Sequence, residues 1–347
     1  MRRVSGGLLL WAALGVLAFA GSADKRLEIY WCDVEGGAAT LIVTPAGESI
    51  LVDSGWPGDR DATRIVRVLK ESARLERIDH YVTTHFHTDH FGGIGALSRL
   101  VAVEKFYDHG FPPLPQRDIN PELAEAYKSA AGAKVRVLKP GDTIPLRQTR
   151  GSPTLELKVV AADGIVLGEA SGAPPVRVCA AEPKHEERPI DASDNARSVA
   201  FMLQFGNWRF FDAGDLTWNV EHKLVCPDNL IGASDVYQVT HHGMDTSNHP
   251  AMIRALRPTV AIMNNGPRKG GSASVVRLLK ENGANRALFA VHRNVQTTPA
   301  ENADPELTAN DGEECKGETV QLTVAPDARS YTVTVPGKKT SRSFRTR

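Results

Sequence analysis

Cysteine is scarce in this sequence, and what there is lies scattered: Cys32, Cys179, Cys226 and Cys315 show no CxxC spacing. A cysteine-built metal site is therefore not expected. A surplus of either charge is also missing, with 41 basic and 41 acidic side chains among 347 residues. Stable nucleic-acid binding, which usually goes with a basic excess, is not expected, whereas a small phosphorylated substrate is still allowed. No internal repeat of fixed period is present, so a repeat array is not expected. Beyond the first two dozen residues no apolar run is long enough to span a bilayer, so no membrane partner is expected apart from an export signal.

That signal is the first thing present. Arg2 and Arg3 precede a continuous apolar run from Leu8 to Ala20, and Gly21, Ser22 and Ala23 follow ahead of Asp24 and Lys25. Residues 1–23 read as a cleaved signal peptide, which places the mature chain in a periplasmic or secreted setting. In such an oxidising compartment the four cysteines allow three full pairings, and their spacing chooses none of them.

Short β-prone runs separated by glycine turns follow: RLEIYWCDV (26–34), ATLIVT (39–44) and SILVD (49–53). An amphipathic helix is expected over 61–73, and the strand IDHYVTT (78–84) runs straight into HFHTDHFGG. A second series begins with SVAFMLQF and WRFFDAGD, joined by a turn at Gly206-Asn207, and alternates strand and helix as far as ALFAVH (287–292). QLTV and YTVTV read as a last hairpin. Two runs of strands with helices interspersed predict an α/β fold of sheets packed face to face with helices outside. Two stretches lack periodicity, 108–121 and 163–192, and loops of that length usually serve as lids or mobile insertions.

The chemistry concentrates in residues 85–90. In extended chain, residues two apart face the same way, so His85 and His87 can share one cation while Asp89 and His90 turn toward a second. Imidazole and carboxylate are ligands for zinc, iron or manganese. Two ions require a bridging carboxylate and further ligands from other strand ends. Asp215, beside a glycine after FFDAG, and the pair His241-His242 after DVYQVT stand where these are needed.

HFHTDH resembles the HxHxDH signature of the metallo-β-lactamase superfamily, and ILVDSG (50–55) resembles its early strand-turn motif. More narrowly, DVEGGAATLIVTPAGESILVDSG, the segment Asn195 to Ser198, Gly214-Asp215, His241-His242-Gly243 and Ser247 are similar to the hydrolase domain of ComEC-type competence proteins. The resemblance implies a four-layer αββα sandwich over residues 24–336, with loop insertions near 108–121 and 163–192 and a flexible basic tail over 337–347. It implies a binuclear hydrolase in which a hydroxide between two divalent ions attacks the substrate. Zinc is the first expectation, with manganese or iron as alternatives.

In this scheme His85 and His87 hold the first ion, Asp89, His90 and His241 hold the second, and Asp215 bridges them. The family's third histidine for the first ion has no clear counterpart, and Asp194 is the expected oxygen substitute. Asp89, His242 and Asn195 are the expected catalytic residues, with Asp53 supporting the ligands by hydrogen bonding. Ser198, Ser247, Arg268 and Lys269 are the candidate substrate contacts, the last two because NNGPRKGG offers an anion cradle before a helix. A phosphodiester is the leading substrate class. A lactonase or β-lactamase type of ester or amide hydrolysis is the alternative, and a non-catalytic metal-binding interaction protein is the alternative of another class.

Overall fold

The computed structural model describes residues 24–168 and 188–347. The expected signal peptide and most of the expected insertion at 163–192 lie outside the described residues. Two mixed nine-stranded sheets face each other. The first runs from the edge Thr340–Arg345 through Ser330–Val335, Val320–Val324, Leu27–Trp31, Thr40–Val43, Ser49–Val52, His80–Val82 and Phe106–Asp108 to Val135–Val137. The second runs from Ile165–Val166 through Leu155–Ala162, Ala200–Phe205, Trp208–Asp212, Val236–Gln238, Val260–Met263 and Ala287–His292 to Thr308–Asn310, with Thr143–Ile144 pairing on Leu155–Ala162.

Strand alternation decides which side chains fill which layer. Ile29 and Trp31 point between the sheets, where they meet Phe201, Phe205, Trp208 and Phe210. The intervening Tyr30 faces outward, into a second cluster with Ile65, Leu97 and Tyr127 from the helices Asp59–Arg67, Ile94–Leu100 and Pro121–Ala131. On the far side, Phe211 and Tyr237 pack beneath the helices Pro250–Leu256 and Ala273–Glu281. Three apolar interfaces therefore separate four layers, helix, sheet, sheet and helix, as expected. Among the described residues no helix is long and apolar enough to cross a membrane.

Parallel pairing matters most for the site. Ser49–Val52, His80–Val82 and Phe106–Asp108 are parallel neighbours, and so are Trp208–Asp212, Val236–Gln238, Val260–Met263 and Ala287–His292. Their carboxyl ends consequently open on the same rim of each sheet, where ligand sites of α/β folds form.

The expected flexible tail over 337–347 is not one. Residues 340–345 form the edge strand, in register with Ser330–Val335 from Thr340↔Val335 to Arg345↔Ser330. Phe344 stacks on Tyr331 at 5.3 Å, and two hydroxyl pairs, Thr332–Ser343 and Thr334–Ser341, stitch the outer face. Arg347 then crosses to the second sheet, donating to Asp235 and Thr259. With a single aromatic among polar residues, TSRSFR carries little hydrophobic alternation, so its strand character comes from its partner. Phe344→Ala should therefore cost about 1–3 kcal/mol in denaturant unfolding; a frayed tail would leave the midpoint unmoved.

Candidate metal centre

The strand His80–Val82 delivers Thr83, Thr84 and His85 to the rim, and the short helix Thr88–Phe91 turns Asp89 and His90 inward. From the second sheet, Trp208–Asp212 ends in Gly214-Asp215 and Val236–Gln238 in His241-His242. Gly214 has φ 52°, and a Cβ there would lie 2.8 Å from Thr84 Cβ. Only glycine lets the Asp215 turn approach the histidine segment this closely. His241 and His242 both take left-handed backbone, with φ 54° and 53°.

The outcome is a buried convergence on one carboxylate. Asp215 Oδ2 lies 3.2 Å from His90 Nε2, 3.3 Å from His241 Nε2, 3.4 Å from His242 Nε2 and 4.0 Å from His85 Nε2. His242 Nε2 also lies 3.2 Å from Asp89 Oδ2 and 3.2 Å from His90 Nε2. Donor atoms of Asp89, His90, Asp215 and His242 all fall within 4.8 Å of one another.

Each imidazole is oriented through its other nitrogen. His90 Nδ1 meets Asp53 Oδ2 at 2.7 Å, His242 Nδ1 meets the Asn264 carbonyl at 3.2 Å, His241 Nδ1 meets Ser247 Oγ at 3.1 Å and His85 Nδ1 meets Thr84 Oγ1 at 3.1 Å. Asp53 in turn accepts from the Thr84 amide and hydroxyl. Holding Nδ1 directs Nε2 inward, which is how metal-ligating histidines are prepared. His85 Nε2 is buried and has no hydrogen-bond partner.

The electrostatics ask for positive charge. Burial opposes ionisation of Asp215 and Asp89, yet the surrounding imidazoles hold both carboxyls well below their usual range, with Lys269 assisting at Asp89. Burial likewise opposes a proton on His90, but Asp215, Asp89 and Asp53 lift it well above an ordinary imidazole. Burial, together with His90 and His87, pushes His85 far down, leaving a neutral ring with a lone pair. Buried carboxylates that need compensating cations, neutral Nε2 atoms aimed inward and an orphaned buried nitrogen fit a divalent-metal centre.

Several expected roles change. His242, not His241, joins Asp89 and His90; His241 touches only Asp215 in this group, because the two left-handed residues turn the second ring inward. Asp194 is not placed as a ligand: Oδ2 accepts from the Phe86 amide at 2.7 Å and from His109 Nε2 at 3.1 Å, and Oδ1 pairs with Arg197. Ser198 and Ser247 are engaged by residues of the centre, since Ser198 Oγ accepts from the Asp215 amide and Ser247 holds His241. Arg268 points away, paired with exposed Glu313. Asn195 is buried, and its Oδ1 has no partner. Lys269 does enter the centre, as an ion pair with Asp89, on a loop packed so tightly that a Cβ on Gly270 would meet the His242 carbonyl.

Two residues carry no readable sign in the sequence. Asp118, from the irregular stretch QRDINP, places Oδ2 3.0 Å from His87 Nε2 and accepts from the Asp194 amide. It supplies the oxygen beside the first histidine pair that Asp194 does not. His109, at the end of the strand Phe106–Asp108, is the partner that fixes Asp194.

Residues 32–165 match the model of the metallo-β-lactamase superfamily. This stretch of the chain is thus similar to that superfamily's domain, and the four-layer arrangement of helix, sheet, sheet and helix agrees with it in fold. A metal-dependent hydrolase of Cupriavidus necator is 37% identical over 75 residues, covering 22% of this chain and 24% of that protein. The chain thus spans about a quarter of the relative it matches. Among solved structures, a metal-dependent hydrolase of Parabacteroides distasonis is 17% identical, covering 78% of this chain and 94% of that one, with a TM-score of 0.41. The diiron β-hydroxylase CmlA of Streptomyces venezuelae is 17% identical, covering 69% and 44%, with a TM-score of 0.38. Both likenesses are too distant to bear on function.

The two adjacent histidines separate in their response to mutation. His242→Ala should lose about one ion per chain by elemental mass spectrometry, whereas His241→Ala should retain full occupancy. Asp53→Asn should keep the fold and weaken metal affinity about 10–100-fold. The reverse pattern for His241 and His242 would show that the ligand set is misassigned.

Proposed function

We propose that this chain is an exported, binuclear metal-dependent hydrolase acting on a phosphodiester. Metal-dependent hydrolysis is supported by the superfamily match over 32–165 and by the donor set. His85, His87, Asp118 and Asp215 would hold one ion, and Asp89, His90, His242 and Asp215 the other; zinc is the expected metal, with manganese or iron the alternatives. Divalent ions bound there would acidify water and polarise the scissile group. Export follows from the reading of residues 1–23, and the similarity to the hydrolase domain of competence proteins belongs to the same reading.

The observation that carries the substrate class is Lys269. Its ammonium reaches Asp89 inside the centre and also lies 5.1 Å from the centroid of the Trp56 ring. A lysine at the mouth of a centre already built for dications suits a substrate bearing its own negative charge, and the neighbouring indole offers an apolar face for a flat leaving group or base. Burial lowers the His241 imidazole, so Nε2 is neutral near pH 7 and, less buried than His85, His90 and His242, is placed to move a proton during departure of the leaving group.

The metal-loaded protein should hydrolyse bis(p-nitrophenyl) phosphate faster than a chromogenic cephalosporin or an acyl lactone. Lys269→Ala should raise KM for the phosphodiester about 10–100-fold, the value of one charge-assisted contact, with metal content unchanged. Faster lactam or lactone turnover, indifferent to Lys269, would instead favour the ester and amide reading. Full metal occupancy with no turnover of any of the three would favour a binding protein.

A further inference from the structure

A second group of metal-type donors, sharing no residue with the centre above, gathers where the first sheet meets the far strands of the second. Asp33 follows the strand Leu27–Trp31, His292 ends Ala287–His292, and Cys315 lies in the connection between Thr308–Asn310 and Val320–Val324. Asp33 Oδ1 is 2.7 Å from His292 Nε2, Asp33 Oδ2 is 3.0 Å from Cys315 Sγ, and Cys315 Sγ is 4.0 Å from His292 Nε2. Glu35 Oε1 stands 3.9 Å from the same sulfur. Asp33 and His292 are each about 1% exposed, and His292 Nδ1 has no hydrogen-bond partner, so the ring's polar engagement lies wholly in this cluster. Cys315 is free and partly exposed, which leaves a route in from the surface.

We infer that Asp33, His292 and Cys315, with Glu35 as the fourth donor, form a separate zinc site. Carboxylate, imidazole and thiolate are all zinc ligands, and a tetrahedral ion with its usual bond lengths separates an imidazole nitrogen from a thiolate sulfur by roughly 3.5 Å. The corresponding separation here, Cys315 Sγ to His292 Nε2, is 4.0 Å. Binding exchanges the Cys315 thiol proton for the metal, and the proton leaves to solvent.

The charges then balance. Arg64 lies 3.2 Å from Asp33 Oδ2, 2.9 Å from Glu35 Oε1 and 3.6 Å from Cys315 Sγ. Arg64 and its neighbour Arg60 face three carboxylates here, Asp33, Glu35 and Asp61, which leaves one negative charge unmatched while the thiol is protonated. With Cys315 a thiolate and a dication bound, the sum is neutral. Arg64 is thus an outer partner that supports the ligands, as second-layer groups do. The site ties together three distant segments and fixes the 33–36 loop, where a Cβ on Gly36 would lie 2.9 Å from the Lys269 Cβ. Its expected role is structural: it clamps the loop that backs Lys269. The wide spacing of the four cysteines gives no hint of it.

Cobalt substitution isolates this site, because the centre described above contains no cysteine. The metal-stripped full chain reloaded with Co²⁺ should show thiolate-to-cobalt charge-transfer absorption in the near ultraviolet. The band should disappear in Cys315→Ser, persist in Cys32→Ser, and be accompanied by the loss of about one Zn²⁺ per chain in Cys315→Ser. Cys315 is partly exposed, so serine there should be tolerated by the fold; circular dichroism checks this. Asp33→Asn, which keeps the thiol, should weaken the band. Absence of the band in the wild-type protein, its persistence in Cys315→Ser, or unchanged zinc content in that variant would each overturn the site and leave Asp33, Arg64 and His292 as a hydrogen-bonded ion network. None of these outcomes depends on turnover, so the proposed hydrolysis stands or falls separately.

Discussion

The candidate metal centre at the strand ends is arranged around the carboxylate of Asp215. It is almost wholly buried, 3% exposed, and four imidazoles from two segments lie within 4.0 Å of one of its oxygens. An ionised carboxylate in that position is tolerated only because positive charge surrounds it. Asp215 pushes the His90 and His242 imidazoles toward protonation against the effect of burial, which supplies part of that charge. Divalent ions would meet the requirement more fully, since they would engage the Nε2 lone pairs as well.

Such an arrangement demands that two sheets hold their strand ends in register to within a fraction of an ångström. The apolar interface between them, built on Trp31, Phe201, Phe205, Trp208 and Phe210, supplies cohesion but little directional information. Direction comes from a buried polar bridge. Gln238 accepts from Trp31 Nε1 at 2.6 Å and from Thr40 Oγ1 at 2.8 Å, and donates to Asp212 Oδ2 at 2.8 Å. Asp212, whose carboxyl burial pushes up to about 7, also accepts from the Gly214 amide, one residue before Asp215. Backbone hydrogen bonds from His241 to Gly214 and from Val199 to Thr84 complete the lacing between the ligand segments.

Those parts legible in the sequence were the ones encoded by local spacing. Alternation of apolar residues gave the strands, and HFHTDH placed four donors on adjacent turns, so that layer order and the core of the centre could be read before any coordinates. What was not legible depends on how chain segments meet. The choice of His242 over His241 is set by two successive left-handed residues, which no pattern of side-chain types announces. Asp118 sits in a stretch without periodicity, and its value arises only because the Asp194 amide pins it beside His87. Asp194 was read as a ligand because it precedes Asn195, whereas its oxygens are taken up by Phe86, His109 and Arg197. The last strand was missed because its stability is borrowed from Tyr331 and from the hydroxyls of its neighbour.

Lys269 and the 33–36 loop meet at the mouth of the centre, and both are held from behind, by Gly270 against His242 and by the Asp33 cluster. In the proposed reading, substrate selection would rest on elements that are themselves anchored, and the chemistry on Asp215. The most direct test of that account is anomalous diffraction from crystals of the protein grown with Mn²⁺ or Zn²⁺. Two anomalous peaks roughly 3.5–4 Å apart, one beside His85 and His87 and one beside Asp89, His90 and His242, with the Asp215 carboxylate between them, are the predicted result. A single peak, or peaks that leave Asp215 outside the coordination sphere, would contradict it.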